Sequence, residues 1–555
     1  MPSRRPVTRL QASRQLLRTL TDSPALPAFV RQLPSPVLKR LIEHVGVRDA
    51  GSLVALTTTN QLREVFEESL WQTLVPGQAE ALRPDKFIEW LDVLLEVGTA
   101  FAVDRLMELG DTFVVLNFSP LITVFEASVA SEHQDPPPCA CVLCQLSERG
   151  QGFLIFGDYV VVARHEDEWE SIQTALEGMQ DEDTEFLQRV LARCCNAPTV
   201  LGYADDGQAL LEDETFEREQ KRERSGYVTP PMAARFLKST RLTALTELCT
   251  QTGYDPISQR YFEQLNAPGP KDEQTNAETV PEAEDDLDRS AVSPIELRAL
   301  ETALADAQII NDEKPLLITG PADSKETVLP LQSYLDRLLM TNPRAFTSRL
   351  GELVFLANVL MAGSWYQGER FKEDEAAQAA LACANLGLDY LLAGQGTHRP
   401  AHRFDVIEKS LEDQPGVVGL FRIGWNLQQS LPVRGAQALI AALRSEHVRE
   451  QLLRKTWIVD EIETALCNPD ILDLIEQGEF EDIGDNLLLL NLILDVRACQ
   501  CLRTLIGDFP RYPMQLSIGF RPPQATSSES RHLSSMQQFN KILGFFESLD
   551  ELLKI

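Results

Sequence analysis

The chain has 555 residues, 44% hydrophobic and 24% charged, with 83 Asp plus Glu against 51 Lys plus Arg and a formal net charge of −32. The apolar fraction excludes wholesale disorder, and the length suits roughly three or four domain-sized units with cores of their own. The charge argues against a protein that grips nucleic-acid phosphates or adsorbs to anionic membranes, since both need a basic surface.

Ten cysteines are far below the density of a disulfide scaffold, so most are expected as reduced thiols in a cytoplasmic protein. Residues 1–22 read as a basic arm. Its first twenty residues carry Arg4, Arg5, Arg9, Arg14 and Arg18 and no acid, and no apolar secretory segment follows. Mitochondrial transit peptides share that composition. The favoured reading is a helix, because Leu10, Leu16, Leu17 and Leu20 recur at helical spacing. No membrane insertion is expected. The most apolar stretch, Leu487–Val496, contains Asn491 and Asp495 and falls well short of the roughly 20 residues a bilayer needs.

Residues 23–128 read as a run of short amphipathic helices. Ser35 suits an N-cap, Pro36 suits the first helical position, and Gly46 suits the left-handed residue that ends a helix. Val37, Leu38, Leu41, Ile42 and Val45 share one face. Helices follow near Ala50–Leu56, Asn60–Trp71 and Pro84–Gly98, another starts at Val103, and a last one covers Val114–Phe125, broken near Pro120. Short helices in close succession predict a helical-repeat, solenoid-like lobe. The stretch FVRQLPSPVLKRLIEHVGVRDAGSLVALTTTNQLREVFEESLW resembles the short-helix repeats of the cytosolic N-terminal domain of the MgtE magnesium transporters. The whole chain resembles an uncharacterised bacterial family of long, soluble, mostly helical proteins. The segments DKFIEWLDVLLEVG, FLIFGDYVVV and SGYVTPPMAARFL carry that likeness. The resemblance implies a mainly α fold and no assigned activity.

Residues 129–266 hold a Cys-containing loop, a β-hairpin and further helices. Phe153–Phe156 and Tyr159–Val162 are apolar and β-prone, and Gly157-Asp158 between them suits a two-residue hairpin turn. Helices are expected near Asp167–Met179 and Asp183–Cys195. Residues 267–290 read as an acidic flexible linker. Ala267–Arg289 opens with Ala-Pro-Gly-Pro and has eight acids against Lys271 and Arg289. Residues 291–509 read as an all-α lobe with longer helices at Leu350–Met361, Asp374–Leu392, Val417–Leu431, Ala436–Leu443 and Asn486–Leu505. Residues 510–555 combine a Pro/Ser-rich crossing with a terminal amphipathic helix. Its stripe is Met536, Phe539, Ile542, Leu543, Phe546, Leu549, Leu552 and Leu553, which either docks on the chain's own lobe or receives a partner.

The most unusual local chemistry is Cys139-Ala-Cys141-Val-Leu-Cys144, close after His133. Thiolates at this spacing can converge on zinc, with His133 or the Cys194-Cys195 pair as fourth ligand. A redox thiol or a loop of ordinary thiols is the competing reading. His398 and His402, with Asp405 nearby, have the spacing of two ligands on one helix, but Pro400 lies between them and no Glu follows His398, so solvated loop histidines are expected. The segment Pro315–Gly320 followed by Ser324-Lys325 lacks the second glycine of a phosphate loop. Gly150-Gln-Gly152 precedes a strand and so is no dinucleotide fingerprint. Trp71, Trp90 and Trp425 sit on apolar faces and read as core.

The expectation is therefore a soluble, mainly α, two-lobed protein. Its lobes are a repeat-type N-terminal one with a small hairpin module and an all-α C-terminal one. The favoured function is a non-catalytic protein–protein interaction scaffold or regulatory adaptor with no catalytic residue assigned. One alternative is a zinc-dependent regulator using Cys139, Cys141, Cys144 and His133. The other is an enzyme whose pocket forms between lobes.

Overall fold

The structure is a computed structural model that describes residues 9–127, 152–195, 206–224, 226–266, 329–366, 368–394, 416–443, 496–518 and 530–552, with isolated positions near 300–309, 407–411 and 494. It is mainly α-helical with small antiparallel β-sheets. The chain forms two compact units. Unit 1 comprises residues 1–74, 80–219 and 270–315, and unit 2 comprises 75–79, 220–269 and 316–555.

Unit 1 begins with α1 (Arg9–Thr21), α2 (Leu26–Gln32), α3 (Ser35–Val45), α4 (Gly51–Val54) and α5 (Thr59–Ser69). Strands β1 (Trp71–Gln72) and β2 (Ala81–Leu82) pair before α6 (Pro84–Val97), α7 (Thr99–Leu109) and α8 (Asp111–Phe118). Pro34 occupies the cap position of α3, so the helix starts at Ser35 itself, one residue ahead of the sequence expectation. It buries Leu38, Leu41, Ile42 and Val45, and Gly46 ends it at φ +101°. Thr58 and Gln61 form a capping box at α5. The Gln61 amide also donates to the carbonyls of Val30 (2.9 Å) and Leu33 (2.8 Å), tying α5 to the end of α2. Phe66, Trp90, Phe87, Phe113 and Phe118 pack as an aromatic chain through the core, with ring centroids 5.2–6.1 Å apart.

The helix expected over Val114–Phe125 ends at Phe118. Residues after it form strand β3 (Ile122–Glu126). Ile-Thr-Val-Phe is β-branched and aromatic, which favours a pleated surface once partner strands exist. The hairpin β4 (Phe153–Phe156) and β5 (Tyr159–Ala163) forms in the expected register, with Gly157 at φ +55°. It is part of a three-stranded sheet of order β3-β5-β4. Helices α9 (Trp169–Glu182) and α10 (Thr184–Cys195) then pack Ile172, Leu176, Leu187 and Val190 into the same core. Helix α11 (Asp206–Arg224) contains the point where the chain passes from unit 1 to unit 2.

Unit 2 contains α12 (Pro230–Leu242), α13 (Leu245–Thr250), α14 (Pro256–Asn266), α15 (Pro330–Thr341), α16 (Pro343–Gly363), α17 (Glu373–Gly394), α18 (Gly416–Gln429), α19 (Leu431–Leu443) and α20 (Val496–Leu505). Its centre is the crossing of α17 on α18. Gly387 and Gly424 let the two backbones touch, because a Cβ on Gly387 would overlap the Leu420 carbonyl and one on Gly424 would overlap the Cys383 carbonyl. Ala376, Ala380, Cys383, Ala384, Val417, Leu420 and Phe421 fill the rest of the seam. The lobe expected as all-α carries two small sheets. Strands β6 (Trp365–Tyr366) and β7 (Glu369–Arg370) form one, and β8 (Tyr512–Pro513) and β9 (Ser530–Arg531) the other. Two-residue strands have no periodicity to read, so sequence pattern passes over them. A short helix α21 (Gln515–Ile518) follows β8, and the terminal helix is divided into α22 (Met536–Glu547) and α23 (Leu549–Leu552). Phe539, Ile542, Phe545, Phe546 and Leu549 are buried in unit 2, so the terminal stripe docks on its own unit. Asp389 on α17 accepts from the Met536 N–H (2.8 Å), and Asn385 donates to the Ser534 carbonyl (2.8 Å).

Among the described residues, two helices are long and apolar enough by length and composition to cross a membrane. They are α16, with a mean hydropathy of 1.3 over its best window, and α17, with 1.2. The protein buries 67% of the α17 window but only 39% of the α16 window.

Candidate functional site

Three polar clusters organise unit 2, and two of them are closed. In the first, the buried Glu352 carboxylate accepts from Tyr254 Oη (2.8 Å), Arg349 Nη1 (2.6 Å) and the Val417 N–H, at the N-terminus of α18. Gly416 makes this possible. It sits at φ +62°, and a Cβ there would run into both Glu352 and Arg349. The Tyr254 phenol is pushed well up from its ordinary range, first by burial and then by the Glu352 charge. The carboxylate is thus a helix cap that also holds Tyr254 and Arg349.

In the second cluster, α18 grips the C-terminal end of α12. Trp425 Nε1 donates to the Leu237 carbonyl (3.2 Å), and Asn426 Nδ2 to the carbonyls of Thr240, Arg241 and Thr243 at 2.9–3.2 Å. Arg422, 5% exposed, donates to Gln251 Oε1 (2.6 Å) and Thr240 Oγ1 (3.3 Å). Burial lowers the Arg422 pKa, and Asp255 and Glu247 pull it back up. The Trp425 indole and the Asn426 amide thus satisfy carbonyls that would otherwise be orphaned at the end of α12, and Arg422 beside them bonds the Thr240 and Gln251 side chains.

The third cluster surrounds Arg511. Its guanidinium pairs with Glu375 and lies 3.5 Å over the Tyr366 ring, while Tyr366 Oη meets Ser530 Oγ at 3.1 Å. His532 stands edge-on to Phe509 at 6.0 Å. Arg511 Nε, His532 Nδ1 and Gln428 Oε1 are buried without hydrogen-bond partners. Burial holds His532 down to about 4, helped by Arg511 and opposed by Glu375, so the imidazole is neutral at ordinary pH.

A different kind of feature lies on α15 and α16. Leu331, Tyr334, Leu335 and Leu338 form the inward stripe of α15. Leu339 and Met340 fall outside that stripe, at 37% and 82% exposure. Asn342 ends α15 and caps α16 by accepting from the Ala345 N–H (3.2 Å), with Pro343 in the first turn. Helix α16 then turns Leu353, Phe355, Leu356, Val359 and Leu360 inward and leaves Val354 48% exposed, with Leu350 partly open one turn before it. The exposed charges between residues 336 and 354 are Asp336, Arg337 and Arg344, so this apolar strip is locally basic in a strongly acidic chain.

The candidate metal ligands Cys139, Cys141, Cys144 and His133 lie outside the described residues, as do His398, His402, Asp405, the segment Pro315–Lys325 and the acidic linker. Among the described residues no three His, Cys, Asp or Glu side chains are grouped to hold a metal ion. Cys194 is buried at the end of α10, and burial pushes its thiol up to about 12, away from the thiolate form a metal needs. Cys195 next to it is half-buried and also shifted up by burial. Trp71, Trp90 and Trp425 are core residues as expected. Sequence reasoning missed Glu352, Arg422, Asn426 and Arg511. All four find partners more than 80 residues away or across a helix interface, and no local spacing announces that. The signal that was available is Met340, an apolar residue out of phase with the stripe of its own helix.

Comparison with known proteins adds one finding and two absences. No curated protein matches the chain, and no solved structure matches it. The expected likeness to the MgtE repeats is therefore not found. Residues 2–197, a range that contains all of α1–α10, match a family of unknown function, DUF6178.

Proposed function

We propose that this chain is a non-catalytic protein-interaction adaptor of the cytoplasm, and that unit 2 offers the α15–α16 strip to an acidic, amphipathic segment of a partner. The observation that carries the reading is apolar surface left over by the fold: Met340 at 82%, Val354 at 48% and Leu339 at 37% exposure on helices that already fill their core-facing positions. Apolar surface at a rim of charge is the usual composition of a recognition site. The exposed Arg344 between the two helices favours an acidic partner, and the chain's net charge of −32 disfavours an anionic bilayer as the occupant. In this reading the short helices of residues 26–118 stack as a repeat-like support layer.

The test uses the full chain purified from its native host with its associated proteins. Met340→Asp with Val354→Asp changes only exposed positions, so the melting temperature should stay within about 1 °C of the parent. The reading expects one associated protein to be lost in this variant, and its protected segment to be acidic and amphipathic. An unchanged set of associated proteins would overturn it.

A further inference from the structure

The small sheet of unit 1 has an edge whose hydrogen-bonding groups can be located from its neighbours. The Ala127 N–H donates to the Asp158 carbonyl (2.7 Å), and the Arg164 N–H to the Leu121 carbonyl (2.9 Å). In an antiparallel ladder these two bonds fix the alternation along β5: Asp158, Val160, Val162 and Arg164 point toward β3, and Tyr159, Val161 and Ala163 point toward β4. The partners of Tyr159 and Val161 are Phe156 and Leu154. The other two residues of β4, Phe153 and Ile155, therefore aim their N–H and C=O groups outward, away from the sheet. Gln188 Nε2 donates to the Phe156 carbonyl (3.1 Å), beside the turn, and leaves the outward pair clear.

Among the described residues, this edge has none of the usual protections. Phe153–Phe156 contains no charge and no proline, and Ile155 is 55% exposed. It is also self-complementary. When two copies of β4 meet about a two-fold axis, Phe153 of each stands opposite Ile155 of the other. Both residues point outward, so each opposed pair exchanges two hydrogen bonds. Leu154 then lies on the axis opposite its own copy, at a non-hydrogen-bonded position. Phe153 and Ile155 share a face of the sheet, which makes each cross-strand contact an aromatic–β-branched pair.

We infer that β4 is the meeting edge of a two-fold dimer of this chain, joining two three-stranded sheets into one of six strands. The inference is independent of the α15–α16 reading, since it concerns unit 1 and a second copy of the chain. A four-residue edge is small, which places association in the reversible range.

Sedimentation velocity of the full chain, from nanomolar to high micromolar, should show a monomer–dimer equilibrium. Ile155→Pro removes only an N–H that faces away from the sheet, so the fold should persist and the dimer should be lost. Ile155→Lys keeps the N–H but puts charge on the edge, and it decides the matter if the proline variant fails to fold. Leu154→Cys should form a disulfide-linked dimer with diamide as oxidant, because only the proposed register brings residue 154 of the two copies face to face. A chain that stays monomeric throughout would overturn the inference. So would a dimer that survives both Ile155 substitutions, or a monomer whose β4 edge takes up a foreign extended peptide.

Discussion

His532 shows at the scale of one residue how burial sets chemistry. Its Nδ1 is sealed without a partner, Arg511 stands close by, and the imidazole is held down to about 4. A histidine free in the unfolded chain titrates near 6.5. As pH falls between these values the unfolded chain binds the proton first, so stability is complete above about 6.5 and is lost toward 4. The melting temperature should therefore fall across this window, and His532→Leu should flatten the fall relative to the parent. Thermal unfolding of both at pH 7 and pH 5 measures the difference, and equal drops would contradict the assignment. Nothing in the segment around His532 foretold this, because the groups that bury it, Arg511, Phe509 and Glu375, are separated from it in sequence by 20 residues or more.

Among the elements, the seam of α17 and α18 has the least tolerance. Gly424→Ala would drive a methyl group into the Cys383 carbonyl, so the helices must separate. A loss of about 3 kcal/mol is expected, readable as a lower urea midpoint at unchanged slope. Gly351→Ala on α16 is the matched control, since open space surrounds that position. Helix propensity alone would make Gly351→Ala neutral or slightly stabilising, so a similar loss in both variants would contradict the assignment of the cost to the crossing. The β4–β5 turn gives a second test. Gly157 has φ +55°, and Gln188 packs 3.0 Å from where its Cβ would lie, so Gly157→Val should lower the melting temperature of unit 1 by several degrees. An unchanged melting temperature would contradict the turn geometry.

The same two elements show which parts of the fold can be read in advance. Gly157-Asp158 between two apolar β-prone runs is local chemistry, and the hairpin was legible from it. Helices α3 and α6 were legible because proline, glycine and a 3.6-residue stripe all agree within one segment. Strand β3 was not, since Ile122–Glu126 follows a helix directly and becomes a strand only by pairing with β5, 33 or more residues later. Gly387 and Gly424 lie inside helices that were legible, Asp374–Leu392 and Val417–Leu431, and only the crossing gives the two glycines meaning. The α15–α16 strip lay between these cases. The periodicity of α15 was visible, and the out-of-phase Leu339 and Met340 could have been noticed against it.

In the whole molecule, binding falls to surface that folding leaves unused. The three polar clusters of unit 2 hold helices together: Glu352 caps α18, Asn426 caps α12, and Arg511 anchors the loop before β8 to α17. The apolar strip of α15–α16 leaves Leu339, Met340 and Val354 exposed beside Arg344, whose charge runs against that of the chain. The most direct test places a photo-crosslinking residue at Met340 in the full chain in its native host, with exposed Lys541 as control position. One discrete adduct is expected from position 340, formed through an acidic segment of a single protein and abolished by Arg344→Glu. No adduct from position 340, or the same adducts from position 541, would contradict it.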